Sequence, residues 1–292
     1  SVVNVQDFTF AEADGGRYTA KGGMKFDDSR QLFGVLDVTN GSVKNLLTLL
    51  DRSNEHIDGK LNGSVEIGGT RDNPSVNVTG KINDVSIDEK IVGDATIDAS
   101  LANRKFKVTT LKLPVDEGLI AIGGTMDLDG QADLQVALKD VDIVPFLPLM
   151  GKDIQATGWV TGVVNITGET KNPKVELSGA VESGSFNGVG IDEGFVLATM
   201  QDQVIQIQRI QGAKSGYKLS VYGKIPLAAI FTSGYIPAND SKSMDVTIDF
   251  NEADMAVIPL LTTSVKEATG PLKGTVHITG TIDQPEAYGT VS

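Results

Sequence analysis

Apolar residues recur at every second position along much of this chain. Val65 and Ile67, Val76 and Val78, Ile120 and Ile122, Leu134, Val136 and Leu138, Val164 and Ile166, and Val175 and Leu177 stand two apart. So do Ile205 and Ile207, Leu219 and Val221, Val246, Ile248 and Phe250, and Val276 and Ile278. Polar residues such as Glu66, Gln135, Asn165, Gln206, Ser220, Thr247 and His277 fall between them. Successive side chains of a strand point to opposite faces, so this period of two predicts half-buried strands with one apolar and one wet face. Turn residues separate the runs. Asp58-Gly59 and Asp129-Gly130 read as hairpin dipeptides, and Asn40-Gly41 and Asn187-Gly188 as further turns. Only three segments look helical: Val43 to Leu50, Val144 to Met150 and Met255 to Leu261. Internal prolines hold the last two to a turn or two. The pattern predicts an all-β protein.

The strands repeat as a group. Pro74, Pro173 and Pro285 are each preceded at the same distances by a glycine (Gly63, Gly162, Gly274), a valine (Val65, Val164, Val276), an isoleucine (Ile67, Ile166, Ile278) and a second glycine (Gly69, Gly168, Gly280). The shared pattern is G-x-V-x-I-x-G-x-x-x-N/Q-P, followed by another alternating run. The proline should fix φ and open the next strand, and each glycine taken singly reads as a turn. The leucine-rich turns keep register too: Leu50, Met150 and Leu261 stand 24, 23 and 24 residues before their prolines. Prolines are 99 and 112 residues apart, and the excess falls in a polar insertion near residues 229–242. The expected organisation is three repeat units, residues 1–87, 88–186 and 187–292, with the first and last truncated. Each would hold about five strands of roughly five to six residues.

Composition narrows the function. Hydrophobic residues make up 40% of the 292, enough for a core, so disorder is disfavoured. The formal net charge of -13, without any basic run, disfavours nucleic acid and anionic lipid surfaces as electrostatic partners. With no cysteine, disulfides, thiolate metal sites and thiol nucleophiles are excluded. No apolar stretch reaches the ~18 residues of a membrane span, and no signal peptide is visible. The chain starts and stops as if inside strands and reads as a piece of something longer.

The repeated motif, with Leu46-Leu47-Thr48-Leu49-Leu50 before its first copy, resembles the repeat of the TamB and AsmA-like proteins of double-membraned bacteria. That resemblance covers the whole chain. It implies an elongated, curled β-sheet with short helical turns between units, a β-taco or repeating β-groove, whose concave face is apolar. It further implies a periplasmic location, inner-membrane anchorage through a segment outside this sequence, and an outer-membrane partner, a BamA-type barrel. The family's function is phospholipid transfer between the membranes, or assistance to outer-membrane protein insertion and secretion. Phospholipid acyl chains would lie on the alternating residues named above. Two other readings stand beside the lipid groove: a scaffold whose sheet edges pair with client strands, and a surface adhesin of β-sandwiches with closed cores.

Residues capable of catalysis are sparse. His56 and His277 are the only histidines, too few for a metal site or a Ser-His-Asp triad. Gly212 to Gly216 lacks the spacing of a nucleophile elbow, and the glycines at 188, 190 and 194 precede no helix. Asp127, Asp129 and Asp133 lack the terminal glutamate of a calcium loop and read as solvated turn charges. Trp159 reads as core or rim packing. The expectation is a protein that is not an enzyme and carries no cofactor.

Overall fold

The computed structural model describes residues 2–13, 15–49, 56–150, 155–186, 188–214, 217–230, 243–255, 268–281 and 284–292. The chain divides into two compact units. The first is Ser1–Val141 with Pro148–Gly151 and Thr167–Lys171; the second is Asp142–Leu147, Lys152–Ile166 and Asn172–Ser292. This division follows contact within the fold, whereas the three repeats follow recurrence along the chain.

The first unit is an antiparallel meander. Its strands are β1 (Val2–Ala11), β2 (Arg17–Lys25), β3 (Leu32–Ser42), β4 (Ile57–Gly69), β5 (Pro74–Ile87), β6 (Lys90–Ala102), β7 (Lys105–Val115), β8 (Gly118–Asp127) and β9 (Gln131–Asp142). Each pairs with the next. Helix α1 (Val43–Leu49) lies between β3 and β4. Ser42 caps it, its Oγ accepting the Asn45 N–H at 3.2 Å.

A 3-10 turn (Val144–Phe146) and α2 (Leu147–Met150) then lead to β10 (Ala156–Glu169). The second unit continues with β11 (Lys174–Phe186), β12 (Val189–Gln201), β13 (Val204–Lys214), β14 (Tyr217–Pro226), β15 (Met244–Asp254), β16 (Pro271–Gly280) and β17 (Pro285–Val291). From β11 onward each strand again pairs antiparallel with its successor. The fold is all-β, as the alternation dictates.

Several expectations change. Most strands run 10 to 14 residues, not five or six. Six strands, β4 to β9, separate the first two helical segments, rather than five. An unexpected helical turn, α3 (Leu227–Ile230), follows Pro226; at four residues it is too short for periodicity to reveal. The third expected helix, Met255 to Leu261, lies outside the described residues beyond Met255, as do Leu50 and most of the 229–242 insertion.

The long strands are interrupted by bulges rather than turns. Register shifts fall at Val38/Gly41, Asp58/Lys60, Ile82/Val85 and Val108/Leu111 in the first unit, and at Ile207/Ile210 and Phe250/Ala253 in the second. Asp58-Gly59 and Asn40-Gly41 are therefore bulges inside β4 and β3, not hairpin loops. Asn40 and Asp84 take the left-handed φ values of 51° and 52° that a bulge imposes and that Asn and Asp tolerate. A bulge bends its strand and raises the local twist, so a 13-residue strand with ~40 Å of contour need not run straight.

Glycine permits the same curvature. Gly63 stands opposite Gly80, and a Cβ at Gly63 would lie 2.3 Å from the Thr79 carbonyl oxygen. Gly162 faces Gly179 in the same way, and a Cβ at Gly162 would lie 3.0 Å from the Gly179 Cα. The first glycine of the motif is thus a mid-strand site of close backbone approach, not a turn. Gly63→Val is expected to lower stability by about 2–4 kcal/mol, in the range of a severe backbone clash; an unchanged urea midpoint would show that the strands do not close so tightly there.

Candidate functional site

The second motif glycine is a turn residue. Gly69, Gly168 and Gly280 have φ of +79°, +88° and +84°, a conformation glycine adopts without a steric cost. Pro74 and Pro285 then open β5 and β17, paired with Gly69 and Gly280. Pro173 stands one residue before β11. In the first and third copies a four-residue loop closes with two backbone bonds, between Thr70 and Asn73 and between Thr281 and Gln284.

The motif asparagine has a role that spacing alone did not reveal. Asn73 Nδ2 donates to Asn103 Oδ1 at 2.8 Å, and Asn172 Nδ2 donates to Asp202 Oδ1 at 2.6 Å. The acceptors open the tight turns Asn103-Arg104 and Asp202-Gln203, whose four φ values lie between 51° and 62°. The first two copies therefore tie their hairpin turns to the next turn along the same rim. Asn73→Ala should cost about 0.5–1 kcal/mol, the net worth of an exposed hydrogen bond. Urea denaturation measures it, and no change would mean the tie is idle.

Strand pairing assembles the alternating residues into rows. In the first unit one row runs Leu36–Val65–Val78–Ala99–Val108–Gly124–Leu134 from β3 to β9. Beside it lies Ile67–Val76–Leu101–Phe106–Met126–Ala132. A third row ends Ile97–Leu111–Ile122–Val136, and a fourth is Leu113–Ile120–Leu138. Paired residues share a face, so these four rows form one apolar surface. The opposite face is polar: Glu66–Asn77–Ser100–Lys107–Thr125–Asp133 forms one unbroken row. On the apolar side Val65, Val76, Val78, Ile120, Ile122, Leu134, Val136 and Leu138 are half-buried, and Ile67 is 41% exposed.

The second unit has the same arrangement with a different outcome. Leu177–Ala198–Ile207–Gly223–Val246–Ile278 is one row, and Val175–Met200–Ile205 lies beside it. Val221–Ile248–Val276 and Leu219–Phe250 continue that face. The Gly162–Gly179 contact places Val164 and Ile166 of β10 opposite Leu177 and Val175. Beneath β15 and β16, however, the face is closed. Met244, Val246, Ile248, Phe250, Ala253 and Leu272 form a buried cluster in which Phe250 is 3% and Leu272 1% exposed. Leu219, Val221, Val276 and Ile278 pack against it. These residues belong to a core there, not to an open trough. Leu272 keeps the alternation of Val276 and Ile278, but Gly274 interrupts the apolar series between them; the bulge at Phe250/Ala253 lies in the partner strand β15.

The titratable residues settle into structural pairs. His56 Nδ1 meets Asp88 at 2.7 Å. His277 lies 3.3 Å from Asp245 and 3.2 Å from the Thr247 hydroxyl, with the Tyr288 ring 5.0 Å away. Arg104 pairs with Asp129, and Lys105 with Asp127 at 3.5 Å. Trp159 is 45% exposed on the face of β10 opposite Val164 and Ile166, so it is not a core residue. The Asp27 carboxyl is held below the ordinary carboxylate range, first by the Ser29 hydroxyl, which donates to it, and also by the Ser29 N–H at 3.0 Å. Ser29→Ala should raise the Asp27 midpoint toward the ordinary value in an NMR pH titration, and an unmoved midpoint would contradict that cause.

These features define a class: an antiparallel, bulge-bent sheet with one apolar and one polar face. No family model matches the chain, and no match is found among curated proteins or solved structures.

Proposed function

We propose that the protein is a lipid-carrying segment of a TamB-like envelope protein in the periplasm, whose apolar face holds phospholipid acyl chains between the inner and outer membranes. The observation that carries this reading is the first unit's apolar surface: four rows in register, half-buried at most positions though buried at Ala99, Val108 and Ala132, with a polar row on the opposite face. A surface of that kind solvates hydrocarbon while leaving headgroups in water. At ~0.8 kcal/mol per buried methylene, a sixteen-carbon chain gains ~13 kcal/mol gross. The attraction is non-directional, so a chain slides along the rows without crossing large barriers, and the function requires no catalytic group.

The test is a mass spectrum of organic extract from the purified protein, together with photo-crosslinkers at Val136 and Ile122. Phospholipid in the extract and on both crosslinkers is the expected result. Crosslinks to protein alone would replace the lipid reading with the scaffold for outer-membrane proteins.

A further inference from the structure

The turn between β2 and β3 and the turn between β4 and β5 meet at one rim of the first unit. The Arg71 N–H donates to the Arg30 carbonyl at 3.0 Å, and Gln31 and Thr70 form an isolated bridge beside it. Between the turns lies a cavity of about 690 Å³, lined by Arg30, Arg71, Asp28 and Asp72 and by Met24 and Phe26. That volume is in the range of small-molecule sites. Met24 pairs with Leu32 on the apolar side of the sheet, two residues from the Gly22–Gly34 pair that leads into the Ile67 row. Phe26, one alternation further, is 54% exposed. The cavity is therefore apolar on its sheet side and charged with both signs on its turn side. Lys25 and Asp27, also in its lining, are engaged locally with Gln31 and Ser29. Arg30 is held at φ +45°, a conformation a non-glycine residue keeps only where its surroundings fix it.

We propose that this cavity is a headgroup subsite for a zwitterionic phospholipid, with Arg30 and Arg71 on the phosphate, Asp28 and Asp72 on the ammonium, and the acyl chains entering the apolar face past Phe26 and Met24. It rests on the lipid reading above and adds which lipid. A guanidinium offers a planar fork of donors that fits phosphate oxygens, and two on tethered turns hold one phosphate from two sides. The carboxylates beside them penalise a purely anionic headgroup and favour one that brings its own cation.

The test titrates the protein with short-chain phosphatidylethanolamine, phosphatidylglycerol and diacylglycerol of equal chain length. Phosphatidylethanolamine should bind at least tenfold tighter than diacylglycerol and several-fold tighter than phosphatidylglycerol. In Arg30→Gln/Arg71→Gln the advantage over diacylglycerol should vanish while diacylglycerol binding stays the same. In Asp28→Asn/Asp72→Asn the preference over phosphatidylglycerol should vanish. All four residues are exposed, so urea unfolding curves of the variants should overlay the parent's. Equal binding of all three lipids, or wild-type behaviour of the arginine variant, would overturn the subsite alone. Failure of diacylglycerol itself to bind would overturn the lipid reading beneath it.

Discussion

Replacing Phe250 with alanine is expected to cost about 3–5 kcal/mol of folding stability, the range for a buried aromatic. Phe250 is 3% exposed and sits in the buried cluster of the second unit with Ile248, Ala253 and Leu272. The loss combines the transfer free energy of the ring with the cavity it leaves, and neighbouring β-branched residues cannot swing in to fill that space. A urea midpoint that falls by less than a third of this would mean the cluster is loose and the face around β15 open.

Charging the same face in the first unit should have the opposite signature. Val136→Asp places a carboxylate in the third row, beside Ile122 and Leu134, on a surface that is half-buried. Its desolvation on folding is partial, so a stability loss of only about 1–2 kcal/mol is expected. On the proposed lipid reading acyl chains cover that position, and bound phospholipid should fall at least tenfold in the organic extract. If Val136→Asp instead unfolds the chain, the first unit's face is a closed core, and the sandwich reading gains what the groove loses. The pair of variants thus separates packing from binding on residues that the sequence pattern treats alike.

That likeness marks the limit of what was legible. Period two placed Val65, Val78, Ile122, Val136, Ile207 and Val246 on the apolar side of their strands, because alternation is a local property and bulges mostly preserve the pairing on either side. It could not tell Val136 from Val246, since whether a face is covered depends on elements distant in sequence. Turn chemistry was half legible. Asp129-Gly130 lies in a loop as expected, whereas Asp58-Gly59 is a bulge. The tight turns at Asp88-Glu89, Asn103-Arg104 and Asp202-Gln203 carry no glycine at all. They take left-handed φ at two successive residues, held by the strand pairs on both sides, and the Asn or Asp that opens each is a weaker local signal than a glycine. The rim cavity was invisible for another reason: Arg30 and Arg71 are 41 residues apart, and only the β3–β4 pairing brings their turns together.

The six strands between α1 and the helical turn at Val144–Met150 have a consequence for how such a chain can change length. In a meander each strand reverses direction, so six strands, β4 to β9, return the chain to the rim from which β4 set out. An insertion or loss of one complete six-strand block would leave every remaining strand running the same way and every apolar row on the same side. A five-strand block would reverse the direction of everything after it and send the helical turn to the far rim. Growth by whole blocks is therefore the neutral route for this architecture, and the 99-residue spacing is the length at which it closes.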